Sequence, residues 1–277
     1  IRHKVNLNKI IYAYDRDGLI ASINSILSKI GIKFRIKNQI EHRQNFLLKT
    51  IANKSDIKVL QGPFKGMKLT KDFKWDKASA TSKILGVYEN SVLHEIIKLQ
   101  KKYKKKHFVN FGAAEGYFIV GLMNLKLFSK SHAYEIDNAS IDILKKNILL
   151  NKLNKKNIEI VNANCKKYFQ KNNTSNNCIF LIDIEGDEFG LLTKENLIKI
   201  KKSILIVEFH EERKNKNINI KFLNLLKKFY KIKFIYTDFS SLNNLDLIKN
   251  FNDIDRFLLI NENRNHVTRW IVCEPLR

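Results

Sequence analysis

The stretch of sequence that decides the fold is Val109-Asn110-Phe111-Gly112-Ala113-Ala114-Glu115-Gly116-Tyr117-Phe118. It combines a short apolar segment, typical of a buried strand, with a glycine-containing turn and the start of an apolar, helix-like run. Gly112 and Gly116 let the backbone approach a ligand closely, and the free N–H groups of the following helix favour an anionic group. The spacing departs from the G-x-G-x-x-G pattern of dinucleotide sites, because Ala114 stands at one glycine position. The turn therefore indicates a ligand-binding strand–turn–helix unit without specifying the ligand.

The next predicted strand, 131–136, carries an acid near its end. Glu135 follows the glycine turn by about 20 residues, the spacing at which an acid accepts hydrogen bonds from a ribose diol in nucleotide-binding folds. Glu135 could instead be a solvated strand end, but the glycine turn upstream favours the ribose interpretation. The sequence therefore predicts a ribose-binding acid at this position.

Carboxylates follow two apolar strands that come later in the chain. Strand 178–183 leads into Asp183-Ile184-Glu185-Gly186-Asp187-Glu188, and strand 203–209 ends in Glu208-Phe209-His210-Glu211. Neighbouring carboxylates repel one another, so such a cluster is seldom kept for stability alone. Because the carboxyl ends of parallel strands are where open α/β sheets bind ligands, both segments are predicted to contribute to one site.

These segments, in this order along the chain, resemble the FkbM-like family of S-adenosylmethionine-dependent methyltransferases. The resemblance lies in four segments: Phe111–Phe118, Glu135, the Asp-Ile-Glu-Gly element within 182–188, and Val207–His210. Two further segments, Leu85–Glu89 and Trp270–Pro275, are also similar to segments of the family. The resemblance covers residues 58–277, and the Asp-Ile-Glu-Gly element is its most specific part, since many class I methyltransferases share the glycine turn. The chain departs from the family at Asn110, where an acid is common, and at Leu181, where a lysine is common.

The resemblance implies a fold, a cofactor and a set of contacts. The fold is α/β, with a doubly wound, mainly parallel seven-stranded sheet of the Rossmann-like class I methyltransferase type. The cofactor is S-adenosylmethionine, and its product is S-adenosylhomocysteine. The implied cofactor-binding residues are Tyr88, Glu89, Asn110, Gly112, Ala113, Glu115, Gly116, Glu135, Ile136, Asn162, Ala163 and Asp183.

Two parts of this cofactor set have alternatives of about equal weight. Tyr88 and Glu89 could close over the cofactor, or they could simply begin a helix whose dipole favours the acid. Asn162 and Ala163 could contact adenine, or they could form an ordinary connection in a chain rich in asparagine. Both alternatives stay open on sequence alone.

The predicted catalytic residues are Asp183, Glu185, Glu208 and His210. Methyl transfer from a sulfonium is an in-line displacement that needs a positioned acceptor and a base for its proton. His210 is the predicted base because an unperturbed imidazole titrates near neutrality, and Glu208 could orient it. The same four groups could bind a divalent metal, although we expect no resident metal. For Glu188 we expect only a helix-capping role.

The composition is strongly basic. The chain of 277 residues carries 51 Lys and Arg against 27 Asp and Glu, a formal net charge of +24. Such a charge is typical of binding to nucleic acid or to an anionic membrane. The lysines are scattered, however, and Asn and Ile are also abundant, as they are under an AT-rich coding bias. We therefore expect any nucleic-acid binding to be non-specific.

Cysteine usage and hydropathy indicate the compartment. The three cysteines, at 165, 178 and 273, are far apart and odd in number, which argues against a zinc site or a disulfide framework. This usage suits a reducing cytoplasm. No run of 18 apolar residues is present, so no membrane span is predicted. We therefore expect a cytoplasmic protein.

Strands and helices alternate through most of the chain, as in a mainly parallel doubly wound sheet. A helical extension is predicted over 1–56, with helices at 5–31 and 38–53. A methyltransferase domain is predicted over 57–277, with a hairpin and helix in 57–106 and a Rossmann-like core in 107–277. The last two strands, 256–260 and 267–274, are predicted to form an antiparallel edge pair. The other predicted elements are a hairpin at 57–70, helices at 90–104, 116–127, 138–151, 188–200 and 218–229, and strands at 107–111, 158–161 and 232–236.

Three functions are open on sequence alone. The first is O-methylation of a small-molecule or glycan acceptor, the second is RNA methylation through the basic surface, and the third is a non-catalytic binding subunit with a degenerate methyltransferase fold. The lack of an Asn/Asp-Pro-Pro-Tyr/Phe loop and of a Pro-Cys nucleophile argues against the second. The intact glycine turn, Glu135 and Asp183 argue against the third. A homodimer formed through the N-terminal helices is a further hypothesis.

Overall fold

A computed structural model of the chain describes residues 23–24, 26–27, 39–72, 77–170, 177–212, 216–236, 242, 245–262 and 268–276. Apart from four helical residues at 23–24 and 26–27, the predicted helix over 5–31 lies outside these described residues. The structure therefore bears on the second predicted N-terminal helix and on most of the domain predicted over 57–277.

Helices and strands alternate along the chain from β1 to β6, and the sequence predicts this alternation except between β3 and β4. The strands are β1 (His107–Phe111), β2 (Lys130–Glu135), β3 (Ile158–Asn162), β4 (Cys178–Ile182), β5 (Ile204–Glu208), β6 (Tyr230–Tyr236) and β7 (Arg269–Pro275). The α-helices are α1 (Gln39–Ser55), α2 (Lys77–Leu85), α3 (Asn90–Tyr103), α4 (Tyr117–Asn124), α5 (Asn138–Leu150), α6 (Lys166–Gln170), α7 (Glu188–Leu191), α8 (Lys194–Ile200), α9 (Lys216–Lys227) and α10 (Asp253–Ile260). Short 3₁₀ turns lie at Lys155–Asn157 and Asp246–Ile248.

The described strands form one sheet in the order β3-β2-β1-β4-β5-β7-β6. Strands β1 to β5 are parallel to one another, whereas β7 is antiparallel to both β5 and β6. At the centre, β1 and β4 have a strand on either side, and their nearly complete burial explains their continuous apolar sequence. The prediction of a mainly parallel, Rossmann-like seven-stranded sheet with flanking helices is therefore confirmed.

The antiparallel pair at the sheet edge is formed by β6 and β7, so the predicted pairing of 256–260 with 267–274 is wrong. Residues 256–260 belong to α10, which Asn252 caps by accepting from the N–H of Asp255. A short apolar run fits either a strand or a helix, and its periodicity alone does not separate the two. Asn252 and the acids of the first turn are local helix-start signals that favour the helix.

Two other predicted elements differ in detail from the structure, and two observed helices are not predicted. The predicted helix 188–200 is two helices, α7 and α8, because Thr193 begins the second by accepting from the N–H of Asn196. The predicted hairpin 57–70 is a compact turn with an antiparallel bridge between Lys58 and Lys68. Helices α2 and α6 have no counterpart among the predicted elements.

The described part of the N-terminal extension packs onto the rest of the chain. Helix α1 contacts α2 and α10, and Leu47 and Ile51 of α1 share a core cluster with Leu259 of α10. Nε of Arg43 donates to Oδ1 of the buried Asp255 at 2.7 Å. Helix α1 and the domain predicted from residue 57 therefore share one core, and the boundary at 56 stays a prediction.

Two hydrophobic clusters cover the two faces of the sheet. In β1, Phe108 belongs to one cluster, whereas Val109 and Phe111 belong to the other. This alternation follows from the strand period of two, which sends successive side chains to opposite faces. Within the described residues, every helix is too short or too polar to cross a membrane.

A substitution at Gly121 of α4 tests whether the compact turn at 57–70 packs against this helix. An added Cβ at Gly121 would lie 2.4 Å from ring atoms of Phe64, which is buried and packs edge-on against Tyr117. We expect Gly121→Ala to lower the free energy of unfolding by about 1–3 kcal/mol, because overpacking outweighs the better helix propensity of alanine. Urea denaturation measures this change.

Gly190→Ala in α7 is the matched control, since a Cβ there would meet no atom within 4 Å. We expect this variant to be neutral or to gain up to about 1 kcal/mol. Equal changes in the two variants would contradict the packing of Phe64 on α4.

Candidate active site

A cavity of about 690 Å³ lies at the carboxyl ends of the parallel strands. Most of the predicted site residues line it: Tyr88, Gly112, Glu115, Glu135, Ile136, Ala163, Asp183, Glu185, Glu208 and His210. The cavity therefore brings together residues that the sequence assigns to the cofactor and residues that it assigns to the acceptor.

The glycine turn after β1 is held by contacts within the protein. Gly112 has a φ of 76° and Gly116 a φ of 81°, the left-handed region that favours glycine. A Cβ on Gly112 would lie 1.8 Å from the carbonyl oxygen of Asp183, and one on Gly116 would lie 2.0 Å from Cδ1 of Leu144. Packing of the turn against β4 and α5 therefore requires both glycines, whether or not a ligand also lies close. A bulky substitution at Gly112 would disturb the fold as well as the site.

Glu135 at the end of β2 is fixed by backbone donors. Its carboxylate accepts from the N–H groups of Ala114 and Ile136 at 2.8 Å and of Asp137 at 2.9 Å. The bond from Ala114 ties the end of β2 to the glycine turn after β1. A carboxylate has more than three acceptor positions, so Glu135 can also accept from a ligand hydroxyl. Its predicted contact with ribose stays a prediction.

Five of the described residues assigned to the cofactor lie outside the cavity wall: Glu89, Asn110, Ala113, Gly116 and Asn162. Asn110 is buried, and its Nδ2 donates to the carbonyl oxygen of Gly112 at 3.1 Å, so it shapes the turn from behind. Asn162 donates to Oδ1 of Asn138 at 2.5 Å. Glu89 is buried with a φ of 45° at the start of α3, which is the alternative that the sequence left open for it.

The cavity wall also includes residues that the predictions omit: Ser79, Lys83, Ala114, Tyr134, Asp137, Asn164, Cys165, Ile184, Asp187, Glu262 and Thr268. Many of these adjoin predicted site residues and would follow from widening each predicted segment by one or two positions. Ser79 and Lys83 lie on α2, which the sequence patterns do not reveal, and no motif marks Glu262 or Thr268. These four reach the cavity through tertiary packing.

Glu188 is the nearest partner of His210. Its Oε1 lies 2.9 Å from Nδ1 of His210, and it also accepts from the N–H groups of Ile184 at 3.1 Å and Gly186 at 3.3 Å. Glu188 is 1% exposed, so its position is fixed. The sequence predicts that Glu188 caps the following helix, and this prediction is wrong. Its carboxylate instead accepts hydrogen bonds from the turn that precedes the helix. Glu208, the predicted orienting residue, lies farther away, 4.0 Å from Nε2 of His210.

The second ring nitrogen of His210, Nε2, faces a different glutamate. A carboxylate can only accept, so Nδ1 of His210 carries the proton that it donates to Glu188. Nε2 faces Oε2 of Glu185 at 3.6 Å. Burial would lower the pKa of His210, but the hydrogen bond with Glu188 and the charges of Glu188, Asp183 and Glu185 outweigh burial and raise it. The raised pKa makes His210 a stronger base than a free imidazole.

Asp183 and Glu208 form a carboxyl pair at the ends of β4 and β5. Burial raises the pKa of both groups, and the negative charge of Asp183 raises the pKa of Glu208 further. The two side chains share a hydrogen bond, which requires a proton on one of them. Ionising both carboxyls would place two negative charges side by side in a buried site, which is unfavourable. The pair therefore holds a proton near neutral pH.

The same cluster has the composition of a divalent-metal site. One ligand atom each of Asp183, Glu188 and His210 can be chosen so that all lie within 4.8 Å of one another. Oxygen and imidazole ligands suit several divalent ions. One oxygen of Glu188, however, is already engaged by two backbone N–H groups and by His210. The expectation that the site needs no resident metal stays a prediction.

The Glu188–His210 contact predicts a titration that can be followed without a substrate. Glu188→Gln removes the charge next to His210 and keeps the shape of the side chain, so the pKa of His210 should fall. NMR titration of the imidazole C–H signals measures this pKa, and His210→Gln identifies the signal.

Glu159→Gln is the matched control for this titration. Glu159 lies 2.9 Å from Nδ1 of His132, the separation found in the Glu188–His210 pair, but both residues lie outside the cavity wall. The pKa of His210 should not respond to this change. An unchanged pKa of His210 in Glu188→Gln would show that the assigned hydrogen bond is wrong.

Similar solved structures are methyltransferases, whereas no family model and no curated protein matches the sequence. TrmK of M. capricolum in complex with S-adenosylhomocysteine is 17% identical, with 67% of this chain and 68% of that chain covered and a TM-score of 0.44. TYW2 of M. jannaschii in complex with AdoMet is 14% identical, with 76% and 86% covered and a TM-score of 0.41. Precorrin-6y C5,15-methyltransferase of Geobacter metallireducens GS-15 is 9% identical, with 68% and 89% covered and a TM-score of 0.44. Likeness at this level concerns the general fold and carries no argument about the reaction.

Proposed function

We propose that this protein is an FkbM-like methyltransferase that transfers the methyl group of S-adenosylmethionine to a hydroxyl oxygen of a small-molecule or glycan acceptor. The observation that carries the proposal is that one cavity is lined both by the backbone-held acid Glu135 and by His210, whose Nδ1 is hydrogen-bonded to Glu188. Its volume of about 690 Å³ lies within the range of small-molecule sites, about 300–1,000 Å³.

The cofactor end has the features that a nucleoside needs. Glu135, held by three backbone donors, is available to the ribose hydroxyls. Ile136 beside it lines the cavity although it is 69% exposed, and it offers an apolar surface to a purine ring. Ala163, beyond the end of β3, lines the same cavity, and its small side chain would leave room for the ring.

The acceptor end supports proton removal during transfer. As the methyl carbon leaves the sulfonium sulfur and bonds to the acceptor oxygen, the hydroxyl proton must pass to a base. Nε2 of His210 is the accepting atom, because Glu188 holds the proton on Nδ1. The Asp183–Glu208 pair can both donate and accept, so it can position a polyhydroxylated acceptor.

The charge of the cavity favours a neutral acceptor over nucleic acid. Carboxylic side chains dominate the described wall near His210, where Asp183, Glu185, Asp187 and Glu208 all lie. These groups would repel the phosphates of RNA but would stabilise the positive sulfonium of the cofactor. The basic residues of the surface can still give the salt-sensitive, non-specific binding expected from the sequence.

Ile136→Asp tests the nucleoside end. We expect the affinity for S-adenosylhomocysteine to fall about 10-fold or more, because the apolar contact is lost and a charge is placed beside the purine. Isothermal titration calorimetry measures the affinity. Ile220→Asp on α9 is the control, since Ile220 is 56% exposed and lies outside the cavity wall. Equal affinities for the two variants would exclude Ile136 from the site.

His210→Ala tests the acceptor end. We expect the affinity for S-adenosylhomocysteine to stay within a few-fold, and turnover on a hydroxylated acceptor that the wild type methylates to fall by about 10²–10⁴. Release of S-adenosylhomocysteine measures turnover. His132→Ala is the control, because the side chains of His132 and His210 are 23% and 24% exposed and each pairs with a glutamate.

Chelation separates the two roles open to His210. If a chelator abolishes wild-type turnover and a divalent ion restores it, His210 acts as a metal ligand and not as the base. Normal turnover of His210→Ala, with no effect of the chelator, would remove both roles.

A further inference from the structure

A buried cation and a mostly buried carboxylate lie side by side on the cavity wall. Lys83 of α2 forms an ion pair with Glu115, which stands at the end of the glycine turn, and their side chains are only 11% and 14% exposed. Both residues line the cavity. Lysine and glutamate are rarely buried to this degree, so the position of the pair calls for an explanation beyond surface solvation.

The surroundings of Lys83 hold its ammonium group at the cavity. Nζ lies 4.5 Å from the ring centroid of Tyr88 and 6.0 Å from that of Tyr117, within the range of cation–π attraction. Its neighbours Ala80 and Ile84 on α2 are buried in the core. The side chain therefore emerges from packed structure at a defined point of the wall.

Glu115 is equally well placed, yet one of its oxygens is unused. Nδ2 of Asn147 donates to the backbone carbonyl of Glu115 at 3.0 Å and fixes the residue. Oε1 pairs with Lys83, whereas Oε2 is buried and accepts no hydrogen bond from any described residue. Buried carboxylate oxygens are normally satisfied, so an unused one beside a cavity indicates a missing donor.

Stability alone does not account for this arrangement. A buried ion pair is often no more stable than an apolar pair of similar volume, because desolvation offsets the attraction. Here the pair is also incomplete, since it leaves Oε2 of Glu115 without a donor. A ligand that supplies one ammonium and one carboxylate would complete it.

We propose that Lys83 and Glu115 together recognise the α-amino-acid end of the cofactor, with Lys83 binding the methionine carboxylate and Glu115 accepting from the methionine ammonium. This inference rests on the proposed use of S-adenosylmethionine. A zwitterion carries one group of each sign, so it can bind beside the two paired side chains without changing the net charge of the site.

The position along the cavity agrees with this assignment. Glu135, the proposed ribose acid, accepts from the N–H of Ala114, the residue directly before Glu115. Glu115 therefore comes one residue after the backbone donor that binds Glu135, just as the methionine portion of the cofactor adjoins the ribose. Asn110, where an acid is common in the family, lies behind the turn and outside the described wall, so Glu115 supplies the negative charge instead.

The experiment compares two ligands that differ in the amino-acid end. S-adenosylhomocysteine carries the zwitterion, whereas 5′-methylthioadenosine keeps the adenosine and the thioether and lacks the amino acid. Lys83→Met keeps an unbranched chain of similar length and removes the charge. We expect the affinity for S-adenosylhomocysteine to fall about 10- to 100-fold, the loss of one charge-assisted hydrogen bond, with the affinity for 5′-methylthioadenosine within about two-fold.

Two further variants keep the test decisive. Lys83→Met leaves Glu115 without its cation, so the double variant Lys83→Met/Glu115→Gln serves if the single variant fails to fold, and it should show the same selective loss. Lys233→Met is the matched control, because Lys233 pairs with the buried Glu95 at 2.6 Å outside the described wall. It should leave both affinities unchanged.

The outcomes separate the two proposals. If the wild type binds neither ligand, the proposed function itself fails. If the wild type binds both, but the folded variants lose affinity for both equally or for neither, the zwitterion assignment is overturned and the proposed function stands. A loss confined to S-adenosylhomocysteine supports the assignment.

Discussion

The close approach of the Gly112 backbone to the carbonyl oxygen of Asp183 is the constraint on which the cavity depends. A Cβ at Gly112 would lie 1.8 Å from that oxygen, and the N–H of Asp183 donates to the carbonyl oxygen of Phe111 at 3.0 Å. These contacts lie just beyond the last ladder pair of β1 and β4, Phe111 with Ile182. They hold the glycine turn against the first acidic residue after β4. The distance between the proposed cofactor end and the proposed acceptor end of the cavity is therefore fixed.

The turn between β4 and α7 provides a second constraint, because it fixes the orientation of His210. Glu185 has a φ of 55° and Gly186 a φ of 103°. A left-handed residue other than glycine is uncommon and is concentrated at functional sites. This conformation directs the N–H groups of Ile184 and Gly186 to Oε1 of Glu188, which also binds Nδ1 of His210. The backbone of one turn thus sets the orientation of an imidazole that follows a different strand.

The charge of the cavity is opposite to that of the whole chain. The protein carries a formal net charge of +24, yet acidic side chains outnumber basic ones on the described cavity wall. The acids are kept in place by distinct means: Glu135 by backbone donors, Glu115 by Lys83, and Asp183 with Glu208 by a shared proton. An acidic interior suits a sulfonium cofactor better than its neutral thioether product, which would favour product release after transfer.

Local sequence alone predicts the central strands of the sheet and about half of the residues that line the cavity. The strand–turn–helix unit at 107–127, the acid Glu135 and the paired strand ends at Asp183 and His210 follow from apolar periodicity and turn chemistry, which depend on neighbours in the chain. Sequence motif and structure agree there because parallel strands end at one edge of the sheet.

Tertiary structure decides the rest, because the interactions involved join residues that are distant in the chain. The His210–Glu188 contact spans 22 residues and the Lys83–Glu115 pair spans 32, and each depends on how two elements pack. Helix α2 has a sequence rich in Ser, Thr and Ala with little periodicity, so its burial against α1 and α10 specifies it. The short apolar run of α10 fits either a strand or a helix, and β7 rather than α10 fills the place between β5 and β6. Long-range packing makes those choices, since propensity over eight residues is too weak to make them.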